Sequence, residues 1–172
     1  LPYVGAIVAP IGGAQLGFPG VSAALFWVSV AVWAVLTPAI LRRLARAPSP
    51  PPPMRPGAFI LLGPPAIGLV AYDALWPRGP LTLAMFALAC VALFGLASRA
   101  RWLTEGGWTP AWGAFTFPSV AFAGACLVTA RGRDVAALDG LAALAVAAAS
   151  LATLYIGWRT AEAALKGRLF VG

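Results

Sequence analysis

Residue types that carry covalent or acid–base chemistry are scarce in this sequence. Histidine is absent, there are two cysteines, and Asp and Glu together number five. Cys90 and Cys126 fall inside apolar runs, where a thiol behaves as a small buried hydrophobe. Two cysteines with no histidine make no metal-ligand set. Nucleophilic catalysis needs a base beside the hydroxyl, or a carboxylate and histidine cluster, and the Ser and Thr residues have no histidine to activate them. The reading is a protein that is not an enzyme, with no catalytic residue, no cofactor and no metal.

The pattern that remains is built from prolines. Pro10, Pro64 and Pro118 each stand inside an apolar run, and the spacing is 54 residues both times. A proline in a transmembrane helix frees a carbonyl, which is tolerated only where neighbours or water in a cavity satisfy it. Three such helices at one period point to a shared interior, a passage lined by kinked helices. The residue before the proline is Ala9, Gly63 or Phe117. Two of these leave the passage wide, and the third puts an aromatic ring into it. Phe117 is therefore expected to gate the passage, with Ala9, Gly63, Thr116 and the three prolines around it. Phe115 and Phe122 cannot share a helix face with Phe117 and are expected to pack against neighbouring helices. Two plainer readings stay open here. The prolines could serve packing alone, and Thr116, Ser119 and Gln15 could bond to nearby helix carbonyls instead of meeting an ion.

The elements that must position these residues are membrane spans. Apolar residues make up 61% of the chain and charged ones 10%, against about a quarter charged in soluble domains. Mean hydropathy is +0.88. The Pro, Gly and Arg clusters divide the chain into six apolar segments, about 2–18, 20–41, 56–76, 80–98, 109–130 and 135–158. Most reach the roughly 20 residues that cross the hydrocarbon core. The expected class is all-α integral membrane, with six transmembrane helices in three hairpins at about 2–45, 56–103 and 109–165. The Gly17-Phe18-Pro19-Gly20 turn closes the first hairpin, and Pro48 to Pro53 form a stiff extended linker.

Charge gives an orientation. Arg42, Arg43, Arg46, Arg55, Arg99, Arg101, Arg159, Lys166 and Arg168 fall on one side, and Arg78, Arg131 and Arg133 on the other. Nine cations against three place loop 42–55 and the C-terminus in the cytoplasm of a multi-pass cell-membrane protein, with Leu1 on that side too. The net charge of +7 belongs to these juxtamembrane positions, and nucleic acid is not the expected partner. No charged residue lies near the middle of a segment, Asp73 being the deepest. Proton-coupled carriers keep ionisable relay groups there, so passive permeation is favoured. The chain begins with Leu1 and lacks the basic flank and cleavage site of a signal peptide, which suggests the C-terminal part of something longer.

Thr109-Pro-Ala-Trp-Gly-Ala-Phe-Thr-Phe-Pro118 resembles the Pro-x-Trp-Trp-x-Phe-Thr-Phe-Pro signature of the tellurite-resistance and C4-dicarboxylate transporter family, which includes plant slow anion channels and fungal malate and sulfite transporters. Leu36 to Arg43, Leu62 to Gly68 and Leu1 to Val4 are similar to other helices of that family. The resemblance covers essentially all 172 residues. It implies hairpins three to five of a ten-helix, pseudo-fivefold channel that assembles as a homo-trimer when full length, with Phe117 matching the occluding phenylalanine. Gly113 departs from the pattern, since relatives usually have a second tryptophan there. The expected function is an anion channel or transporter for small inorganic or organic anions. The alternative is a proton- or gradient-coupled carrier exporting C4-dicarboxylates, sulfite or tellurite.

Overall fold

The computed structural model describes residues 2–131 and 133–167. Leu1 and Arg168, which charge counting places on the Arg-rich side, lie outside the described residues. Seven α-helices follow one another: α1 (Pro2–Gln15), α2 (Pro19–Arg46), α3 (Gly63–Leu75), α4 (Pro80–Ala97), α5 (Ala100–Thr104), α6 (Thr116–Ala130) and α7 (Ala136–Leu165). Two 3₁₀ stretches, Pro52–Leu62 and Pro110–Phe115, run directly into α3 and α6. No strand occurs among the described residues.

Five stretches are long and apolar enough to cross a membrane: Pro19–Arg46, Pro52–Leu75, Pro80–Ala97, Pro110–Ala130 and Ala136–Leu165. The expected sixth, α1, has 14 residues. At 1.5 Å per residue it is about 21 Å long, short of the ~30 Å hydrocarbon core. Gly17, at φ +84°, ends it in a left-handed turn that glycine enters without steric cost. Helix α2 runs beyond the expected 20–41 because Arg43 and Arg46 occupy its last turn, where cations meet the free carbonyls favourably. Helix α7 likewise continues to Leu165. Glu162 there bonds Lys166 one turn on at 2.5 Å and lies 3.6 Å from Arg159 one turn back. The proline linker is extended only to Pro51, with ψ 142°; from Pro52 onward it winds into the 3₁₀ stretch.

Helix α3 packs between α1 and α6. Helix α2 lies on α1 and α3, α4 on α3 and α6, and α7 on α6. Ile7, Phe26, Leu62, Leu69, Phe122 and Ala125 join in one core between these elements. Burial separates the spans that contain Pro64 and Pro118 from α2 and α4, while α1 is largely exposed. Half of the Pro52–Leu75 and Pro110–Ala130 windows is buried, against 11% for α2 and α4. An outer helix in lipid has no solvent to hide from, so it can present apolar side chains outward.

Candidate functional site

The 54-residue period reappears as a change of helix type. The 3₁₀ stretch gives way to α-helix at Gly63 in one copy and at Thr116 in the other, immediately before Pro64 and just before Pro118. The missing proline N–H explains the join. Pro64 cannot donate to Ile60, and the Ile60 carbonyl instead accepts from the Gly63 N–H in a tighter i to i−3 bond. At the second join the Gly113 carbonyl accepts from both the Thr116 N–H and the Thr116 hydroxyl, the latter at 2.7 Å. At both joins a tighter bond thus takes up a carbonyl of the 3₁₀ stretch. A second proline set missed in the sequence reading, Pro2, Pro56 and Pro110, has the same spacing. The signal for it was the period already in hand.

The rings of Pro10, Pro64 and Pro118 are all buried below 2% exposure. They pack inside the bundle and present no open surface. The three residues before them separate: Ala9 and Phe117 are exposed, whereas Gly63 is buried. Phe117 has 39% of its surface free. Thr116 is half-buried and its hydroxyl is turned back to Gly113, as the plainer reading of the sequence had it.

Phe117 belongs to a stripe. Gly113, Phe117 and Val120 are exposed, Gly124 is half-buried and Leu127 exposed, at offsets that keep them on one helix face. Two repeats earlier the same positions are Gly5, Ala9, Gly12 and Leu16, all exposed. Their counterparts in the middle copy are half-buried Phe59 and Val70 and buried Gly63 and Ala66. Helix α3 is closed because α1 and α6 flank it, and the end helices keep one side open. The glycines at the ends of the stripe are free of neighbours: a Cβ at Gly5, Gly12 or Gly113 would meet nothing within 4 Å.

The other two phenylalanines of the motif behave as expected from their offsets. Phe115 packs on Phe59 at 4.7 Å and edge-on to Trp112 at 5.4 Å. Phe122 stacks with Phe86 at 6.2 Å and is 7% exposed.

Asp73 stands at the middle copy's counterpart of Leu127, 54 residues earlier, and no other stripe position in the three copies holds an ionisable side chain. Asp73 is held by Arg78, whose Nε donates to its carboxylate at 2.6 Å. The same guanidinium donates to the Arg131 carbonyl at 2.8 Å, tying the α3–α4 turn to the end of α6. The Arg78 pKa is raised, first by the hydrogen bond to Asp73. Asp73 is thus engaged in an ion pair at the α3–α4 turn.

Residues 1–161 match the family described as SLAC1, voltage-dependent anion channel. The chain belongs to this family. No curated protein matches it. Family membership and the five apolar spans make it a multi-pass membrane protein of an anion channel and transporter family, and not of an enzyme family.

Proposed function

From membership of the voltage-dependent anion channel family, we propose that this chain supplies one side of an anion-selective pore whose gate is the Phe117 ring. The observation that carries the proposal is the exposed Phe117 on a stripe of otherwise small or aliphatic residues. The open stripe on α1 two repeats away is in the same register. Three hairpins, α1 with α2, α3 with α4 and α6 with α7, form an arc in this reading. Further hairpins of the same kind would complete a ring, pseudo-fivefold in the complete protein, and three such proteins would form the trimer.

The chemistry suits a small anion. The one carboxylate in register with the stripe, Asp73, is neutralised by Arg78, and Thr116 and Ser119 adjoin the stripe in sequence. A pore whose wall has few strong ligands passes ions rather than holding them, since conduction needs weak binding. The surplus of arginines at one end raises the local anion concentration. With Asp73 at the end of its span and paired to Arg78, flux should follow the membrane potential and ignore a proton gradient.

The experiment is anion current through the full-length protein in planar bilayers or oocytes, with and without a proton gradient. Phe117→Ala is expected to raise chloride or nitrate conductance at least several-fold at equal surface expression, with no dependence on the gradient. Unchanged current in the variant would remove the gate. Flux that vanishes with the gradient would replace the channel by a coupled carrier.

A further inference from the structure

Between α2, α4 and the first 3₁₀ stretch runs a groove of about 590 Å³, within the ~300–1,000 Å³ of small-ligand clefts. Its wall along α2 includes Trp33, Thr37, Leu41 and Ala45, a length of about 18 Å at 1.5 Å per residue. That length matches one leaflet's share of the ~30 Å hydrocarbon core. Val91 and Gly95 of α4 face it from the other side. Arg99 and Trp102 line its Arg-rich end, and Arg43 lines an adjoining hollow of about 480 Å³.

Two observations specify the occupant. The acidic groups at this end are taken, Glu105 by Arg55 and Glu162 by Arg159 and Lys166. Arg43 and Arg99 have no carboxylate partner among the described residues. In addition, the wall beyond Arg99 is apolar, with Leu41, Leu88, Val91 and Leu96 along it. A ligand for this groove has an anionic head and a long apolar body. A second copy of the chain, itself +7 overall, would bring more positive charge, whereas an acidic phospholipid brings the opposite sign.

We infer that this groove is a binding site for an anionic phospholipid, its phosphate at Arg43 and Arg99 and one acyl chain along Leu41 and Val91. The site is separate from the anion pathway and does not depend on it.

The test is native mass spectrometry of the purified chain in detergent with dioleoyl-phosphatidylglycerol or dioleoyl-phosphatidylcholine. Wild type should retain the anionic lipid roughly tenfold or more in preference to the zwitterionic one, as two arginines at a lipid headgroup allow. The double variant Arg43→Gln, Arg99→Gln should lose that preference. Gly95→Phe should lose both lipids, and the fold has room for it, since a Cβ there meets nothing within 4 Å. Equal retention of the two lipids by wild type overturns the inference, as does Gly95→Phe binding like wild type. Displacement of the phosphatidylglycerol by millimolar inorganic phosphate would reassign the arginines to a free anion. A Gly95→Phe variant that changes oligomer mass while keeping its lipid would make the groove a subunit contact, which also refutes it.

Discussion

Phe117 and Phe122 occupy one helix five residues apart, and truncating each should have opposite consequences. Phe122 is stacked on Phe86 and nearly closed from its surroundings, so Phe122→Ala leaves a hole between α4 and α6. Large-to-small changes of this kind cost ~3–5 kcal/mol in soluble cores. In lipid the transfer part shrinks, because acyl chains are as apolar as the core, leaving the lost packing. We expect the thermal midpoint of Phe122→Ala in detergent to fall by several degrees, while Phe117→Ala stays near wild type because its ring already has open surface. Equal losses in a melting assay would show that Phe117 is a packing residue. The sequence made this difference legible through helix offsets alone: two and five residues from Phe117 cannot share its face. It did not reveal that Gly63 is buried while Ala9 is open. That distinction depends on which helix stands in the middle of the row, and no local pattern records it.

At the scale of elements, the segments were readable and their internal character was not. Five of the six expected crossings are long and apolar enough to span, because apolar length is written directly in the chain; α1 falls short where Gly17 turns it. The 3₁₀ stretches ahead of Pro64 and Pro118 escaped notice, since proline shows only that the α ladder must break. Whether the orphaned carbonyl meets water, a side chain or a tighter turn is decided by neighbours. One of those neighbours is the loop after α5. A Cβ at Gly106 would lie 2.6–2.8 Å from the backbone of Pro52 and Pro53, and backbone pinned by consecutive prolines has little freedom to retreat. The Thr109 hydroxyl donates to the Pro53 carbonyl at 2.9 Å, and Arg55 joins Pro50, Glu105 and the Trp102 ring across the same seam. Gly106→Ala is therefore expected to destabilise the chain by about 1–3 kcal/mol or more, the cost of overpacking. Gly107→Ala next to it meets open space but sits at φ +68°, so only the left-handed strain of ~1–2 kcal/mol applies. Comparing the two unfolding midpoints separates close approach from backbone conformation; a milder Gly106→Ala would mean that the seam is loose.

At the scale of the molecule, the distribution of arginine ties topology to function. The Arg-rich linker and α5 share one end of the bundle, and Arg78 and Arg131 meet at another place, where the α3–α4 turn touches the end of α6. If the positive-inside bias sets insertion, the first end is cytoplasmic, and a negative membrane potential then drives anions outward from the end where they are concentrated. Exposed Ser49 and Asp134 lie in the linker and in the loop before α7, and each can be replaced by cysteine once Cys90 and Cys126 are changed to alanine. In intact cells a membrane-impermeant maleimide should label the Asp134→Cys protein and leave Ser49→Cys unreacted until the membrane is permeabilised. Labelling of Ser49→Cys from outside would invert the orientation. It would place the arginine surplus at the external mouth, where anions would be concentrated on the side from which the inside-negative potential opposes their entry.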